Sequence, residues 1–304
     1  MTGWITRRRV LAAGAGLLGA GAALSTYALW IEPAWRLVVR DWRVTVPGWR
    51  GRPPLTLCLV ADIHAGEPHM SLPRVERIVA AANALQPDLM LVMGDLPAHH
   101  AMVTGRVPRE LLTRALSALR APLGVHAVLG NHDWWDDPPE LLWRRRRIPL
   151  MRGLLDAAGV PVLANAALRL PHGDGVWLAG LDSQWAFGSG QRGADDLPGT
   201  LAQVTDDAPV ILLAHEPDIF PRVPPRVSVT LSGHTHGGQV RIAGYSPIVS
   251  SRFGNRYAWG LVREAGRSLL VSGGLGCSIL PVRFGVPPEL TLVRLSGEEG
   301  LQHG

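Results

Sequence analysis

A chain of 304 residues that is 47% hydrophobic and 18% charged can bury a sizeable core, which excludes a disordered polymer, while 25 prolines and 35 glycines argue for a loop-rich fold over a helical bundle. Its formal charge of +5 is uneven: Arg7, Arg8 and Arg9 stand in a leader with no acid through residue 31, so the remainder carries 27 basic against 25 acidic residues, a net of +2. With no basic stripe interleaved with aromatics, nucleic acid is not the expected partner, and Cys58 and Cys277 alone cannot build a disulfide scaffold or a four-thiolate zinc site.

The chain opens with arginines followed by an uncharged stretch from Val10 to Ile31, closed by Glu32-Pro33. Twenty-two such residues are long enough to span a bilayer. The order of arginines, then a soft Gly/Ala-rich run, resembles a twin-arginine export signal. Residues 1–31 are therefore read as a signal or membrane anchor, with the N-terminus inside and the rest on the extracytoplasmic side of the cytoplasmic membrane. Residues 32–54 follow as a linker, 55–296 as the main domain and 297–304 as a tail.

From Leu55 onward one pattern recurs. Short apolar runs stop at turns that carry metal-type side chains: "LTLCLVADIH", "DLMLVMGD", "VHAVLGNHD", "PVILLAHEPD" and "VSVTLSGHTH". Continuous runs of this length read as strands buried on both faces. Between the first three lie two helical segments, "SLPRVERIVAAANALQ" and "PRELLTRALSALRA", giving βαβαβ and a largely parallel sheet. Strand C-termini in such sheets share one edge, where sites form. Five strand ends then bring together Asp62, His64, Asp95, Asn131, His132, Asp133, His215, His234 and His236. One such residue after one strand is an ordinary loop residue. Convergence at five successive strand ends marks His234 and His236 as ligands in a shared site.

The series "ADIHAG", "MGDL", "LGNHD", "LLAHEPD" and "SGHTHGGQ" resembles the motif set of the calcineurin-like metallophosphoesterases. With the tail "VSGGLGCSILPVRFGVPPELTLVRL" and the arginine-led leader, it is similar to their exported YkuE/YaeI-like branch. The resemblance implies an α/β fold, a two-sheet αββα sandwich, and a site for two divalent transition-metal ions (Mn, Fe, Zn, Co or Ni). Asp62, His64 and His236 would hold the first ion and Asn131, His215 and His234 the second, with Asp95 shared. Such a pair acidifies a bridging water for attack on phosphorus. His132 would then act as general acid. Asp133 would orient it, or serve instead as a cap of the following helix.

Three further features belong to this reading. Arg283 in "PVRFGVPPEL" is a candidate phosphate contact. His99 and His100 in "GDLPAHH" are read as loop residues, and "WRRRRIPL" (143–150), with Trp134 and Trp135 just before it, as either a solvated face or a membrane-facing entrance for an anionic amphiphile. "GGLG" is not a phosphate loop, because no Gly-Lys-Ser/Thr follows. The expected function is a metal-dependent phosphoesterase acting on a phosphodiester or pyrophosphate-linked envelope molecule, with membrane association and no obligate protein partner. A hydrolase of a nucleotide-linked lipid such as a UDP-diacylglucosamine is the alternative, and a non-catalytic metal-bound scaffold is the reading from a different class.

Overall fold

The structure, a computed structural model, describes residues 7–297 apart from 99, 101, 139–140, 142–147 and 189. His99 and the arginines of the basic patch lie outside the described residues.

Helix α1 (Arg7–Thr26) continues through wider π-helical turns over Tyr27–Trp35. Then follow β1 (Val38–Thr45), β2 (Leu55–Val60), β3 (Gly66–Glu67), α2 (Leu72–Ala84), β4 (Leu89–Val92), β5 (Gly105–Arg106), α3 (Arg109–Leu116), β6 (Val125–Ala127), α4 (Asn131–Trp135) and α5 (Leu150–Ala157). The second half runs β7 (Ala166–Leu170), β8 (Val176–Gly180), α6 (Leu197–Leu201), β9 (Val210–Leu213), β10 (Val229–Ser232), β11 (Gly260–Glu264), β12 (Arg267–Val271) and β13 (Glu289–Ser296).

The long strands form two mixed sheets, ordered β1-β13-β2-β4-β6 and β11-β12-β10-β9-β8-β7. Parallel pairing of β2 with β4 and β4 with β6 is the βαβαβ unit expected from the sequence, with α2 and α3 as its crossovers. Strand pleating explains why these runs are apolar throughout. Leu55, Leu57 and Leu59 of β2, with Leu89 and Leu91 of β4, face Ile211, Leu213, Val229 and Leu231 of the second sheet. The alternate residues Cys58, Val60, Met90 and Val92 face outward, onto Val75 and Ile78 of α2, Leu112 and Leu116 of α3, and Leu155 of α5. The second sheet's outer face is covered more thinly, by Leu197 of α6 and by Ile219 and Phe220 of a 3₁₀ turn at Pro217–Arg222. Both cysteines are buried as free thiols.

The stretch read as a linker contains a strand. All eight residues of β1 pair in parallel with β13, from Val38 opposite Glu289 to Thr45 opposite Ser296. The first sheet is thus completed by a segment upstream of residue 55. The apolar stretch ahead of it, Leu11–Trp35, is 25 residues long with mean hydropathy 1.3, long and apolar enough to cross a bilayer, and Leu17 and Leu18 on α1 are exposed. This fits a signal sequence or anchor. Its last turns dock on the domain. His69 Nε2 donates to the Leu29 carbonyl (2.8 Å), Arg74 donates to the Pro33 carbonyl (2.7 Å), and Trp30 stacks on His69 with ring centroids 4.7 Å apart.

Candidate metal centre

Five of the seven expected ligands have left-handed backbones: Asp62 (φ 53°), His64 (45°), Asp95 (55°), His234 (71°) and His236 (53°). Each such residue costs on the order of 1–3 kcal/mol and persists only where its surroundings hold it. Here the strand-end loops hold one another. The Asp62 amide donates to Gly94 O (3.0 Å), that of His64 to Asp95 O (3.0 Å), and that of Gly233 to His215 O (2.9 Å). Gly130 allows the closest approach, since a Cβ there would lie 2.2 Å from Asp95 Oδ1 and 2.7 Å from the His215 ring. The glycine of "LGNHD" is therefore steric, making room for the shared carboxylate.

These loops place the ligand atoms of Asp62, His64, Asp95 and His236 in one group, and those of Asp95, His215 and His234 in another, each within 4.8 Å of one another. Asp95 is common to both. Asn131, the first residue of α4, is buried, and among the described residues its side-chain oxygen has no hydrogen-bond partner; neither have Asp62 Oδ2 and His234 Nε2. Buried acceptors left unmatched cost stability unless a ligand satisfies them, so the donor set fits a cation. Three imidazoles are also turned by their second nitrogen: Nδ1 of His64 meets Pro97 O (3.1 Å), that of His215 meets Met93 O (2.6 Å), and that of His236 meets Gly276 O (3.3 Å). A carbonyl can only accept, so Nδ1 of His64 and of His215 carries the proton and Nε2 is presented, the arrangement typical of metal-binding histidine, whereas Nδ1 of His236 is met equally by the Arg283 guanidinium at 3.3 Å. The two buried Asp/His clusters are compatible with a binuclear metal site.

Electrostatics divide the cluster. Burial pushes the His64 and His236 imidazoles well below their usual range and that of His234 down to about 3, so all three stay neutral and ready to donate a lone pair. Burial also opposes charge on His215, but the carboxylates outweigh it, chiefly Asp95 at 3.1 Å, and hold this imidazole well above its usual value. Burial opposes the Asp95 carboxylate in turn, but His215 and His132 outweigh it and hold it well below the carboxylate range. Asp62 is pushed up to about 7, mainly by burial. A divalent ion between these groups would displace protons as it binds.

The remaining candidates divide. His132 stands at the mouth of the site, 12% exposed, with Nε2 4.0 Å from Asp95 Oδ2 and 3.3 Å from Ser278 Oγ. Its backbone amide donates to Asp95 Oδ1 (2.8 Å), so general-acid candidate and shared ligand are fixed to each other. The Asp133 carboxylate accepts from the amides of Asp95 (2.9 Å), Leu96 (3.0 Å) and Gly130 (2.8 Å). It is thus the cap of α4 and a tie between two ligand loops; the geometry corrects the reading in which it orients the His132 ring. Arg283 is corrected too. It is fully buried, and its guanidinium donates to the carbonyls of Gly276, Val286 and Gly273 behind His236, leaving it no path to a substrate phosphate. Trp134 is likewise buried, donating to Asp182 (2.7 Å), whereas Trp135 lies edge-on to His132. His100 packs on His69 as a loop residue.

The motif reading passed over two groups. Ser278 reaches His132 from a loop far along the chain, with only a serine beside a cysteine to announce it. Glu216, inside "AHEPD", accepts from Ser183 Oγ (2.5 Å) and Gln184 N (2.9 Å), fixing the turn whose Trp185 lies against His234. Its signal was adjacency to His215.

A family model described as calcineurin-like phosphoesterase matches residues 55–238, which spans β2 through the "GHTHGG" loop and includes all seven expected ligand positions. The chain belongs to the calcineurin-like phosphoesterases. Relatives extend the likeness beyond that core. The metallophosphoesterase YkuE of Bacillus subtilis is 29% identical over 307 residues, covering 96% of this chain and 98% of its own. A metallophosphoesterase of Aquifex aeolicus is 29% identical and covers 93% and 97% respectively. A transmembrane protein with metallophosphoesterase domain from Danio rerio is 29% identical over 251 residues, 79% of this chain and 53% of that one. The match to YkuE takes in nearly the whole of this metallophosphoesterase.

Proposed function

We propose that the chain hydrolyses phosphodiester or pyrophosphate-linked molecules of the cell envelope, with His132 as general acid. The observation that carries this reading is the placement of His132. Among the described residues it is the site imidazole that lies outside both ligand groups, it is 12% exposed, and its Nε2 is 4.0 Å from the shared carboxylate. When bound, a pair of divalent ions supplies Lewis acidity toward phosphoryl oxygens and acidifies water. The protein does the rest. Asp62, His64 and His236 would hold one ion, Asn131, His215 and His234 the other, and Asp95 would serve both. As the bond from phosphorus to the leaving oxygen breaks, the His132 Nε2 proton passes to that oxygen, a step typically worth about 10²–10⁴ in rate. Ser278 Oγ, 3.3 Å from the same nitrogen, accepts that N–H until the leaving oxygen takes its place.

The apolar leader would hold this site at the outer face of the cytoplasmic membrane, following twin-arginine-type export. The test is a panel of phosphomonoesters, phosphodiesters and lipid pyrophosphates presented to the full chain, with elemental analysis of the same preparation. Two ions per chain and preferential turnover of diesters or pyrophosphates are expected. Full metal occupancy with no hydrolysis of any member would sink the reading and favour a metal-bound scaffold.

A further inference from the structure

Beside the metal cluster, a cavity of about 410 Å³ opens against His234 and His236, of a size typical of small-molecule sites. Its walls are Val240, Ile248, Val249, Ile279, Leu280 and Val282. Ile248 is 76% exposed, Ile279 69% and Leu280 53%. Single apolar side chains on a surface are ordinary, but a contiguous set lining a cleft marks a binding surface.

Three observations show that this groove is built. Gln239 clamps its two walls together, accepting from the Ser278 amide (2.6 Å) and donating to the Leu280 carbonyl (3.0 Å). Ile279 has a left-handed backbone (φ 63°), a conformation that a β-branched residue adopts only at a cost, and it holds the side chain out at the rim. The loop from Ser278 to Phe284 also joins three parts of the molecule. Ser278 touches His132 at one end, Ile279 and Leu280 form the groove wall, and at the other end the Arg283 amide donates to Ala28 O (2.9 Å) while Phe284 packs edge-on against Tyr27. Ala28 and Tyr27 lie in the stretch long and apolar enough to cross a bilayer.

From this continuity we propose that the groove takes an apolar chain of an amphiphilic phosphoester whose phosphate sits at the metal cluster. The inference rests on the phosphoesterase reading and names its substrate class. A chain lying along Ile248, Ile279 and Leu280 has its polar head beside His234 and His236 and its tail toward the docked end of the leader. An apolar partner protein would have no reason to end at the metal ligands.

The test uses the full chain in nanodiscs, loaded with metal, and p-nitrophenyl alkyl phosphodiesters from methyl to octyl. Each methylene buried in the groove should raise kcat/KM by about fourfold until the groove is filled. The double variant Ile248→Asn, Ile279→Asn should lower the octyl-to-methyl ratio of kcat/KM by about tenfold or more, whereas Leu111→Asn, an exposed apolar residue on α3, should keep the wild-type ratio. Partition into the disc is common to all three proteins and cancels. A readout without turnover is photolabelling by an octyl phosphonate with a terminal diazirine, which should mark residues 240–250 and 278–282. A flat chain-length series with labelling elsewhere overturns the groove while leaving the phosphoesterase reading intact. Labelling in the groove with no ester hydrolysed overturns the phosphoesterase reading and leaves the groove as an apolar-chain site.

Discussion

The metal cluster and the groove next to it share His234 and His236, yet they are built in opposite ways. In the cluster all seven expected ligands are buried, five carry left-handed backbones, and the imidazoles of His64 and His215 are turned by backbone carbonyls. In the groove the side chains at the rim are exposed, and the walls are tied by the Gln239 side chain and by the backbone bonds between residues 239–241 and Phe284. A buried polar cluster is costly wherever one member is unmatched, so each position is constrained by several neighbours at once. An exposed apolar wall is constrained by shape alone. Substitutions in the first should remove activity or metal, and substitutions in the second should alter preference at little cost to the fold.

The largest effect should follow Asp95→Asn, which weakens the one carboxylate common to both ligand groups. Metal content should fall at both positions and turnover by about 10³-fold or more, several kcal/mol of lost charge stabilisation. Elemental analysis showing two ions retained would remove Asp95 from the shared role. His132→Ala should keep both ions and lose about 10²–10⁴ in kcat, most on poor leaving groups. Loss of metal in that variant would place His132 among the ligands instead.

Arg283→Met tests how far the constraint reaches behind the ligands. It removes a guanidinium that donates to the carbonyls of Gly276, Gly273 and Val286 and lies 3.3 Å from His236 Nδ1, so the support behind the His236 ring is lost. Metal affinity should drop by about 10–100-fold, the usual cost of losing an outer partner. Competition with a chromogenic chelator measures it, and unchanged affinity would confine Arg283 to a packing role. Trp134→Phe deletes the bond to Asp182 beneath the site, and should lower stability by about 1 kcal/mol in denaturant titrations with metal affinity unchanged. Smallest of all, Ile248→Asn on the groove rim should change stability by no more than about 0.5 kcal/mol. A larger loss there would mean that the groove wall supports the fold, and the contrast between the two regions would fail.

The residues of the two buried Asp/His groups were legible as candidates because their signals are local. An apolar run followed at once by Asp-x-His, Gly-Asp, Asn-His or His-x-His records a buried strand and the turn at its end within ten residues, and parallel pairing of β2, β4 and β6 then collects those turns on one edge. Segments whose meaning depends on a distant partner were not legible. Strand β1 is half exposed and carries Arg40, Asp41 and Arg43, so it reads as a linker; only pairing with β13, some 250 residues away, makes it a strand. The choice for Asp133 between orienting His132 and capping α4 was decided by the amides of Asp95 and Leu96, which a different loop brings within reach. Arg283 presents the same letters whether it faces a phosphate or three carbonyls, and burial alone distinguishes the two. By itself the sequence pointed to the side chains that the fold gathers into the two buried Asp/His groups, because a residue type and the end of its own strand are local properties. Tertiary structure decided which polar groups those donors lean on and where the apolar groove lies, because a hydrogen bond or a cleft exists only where separate segments meet.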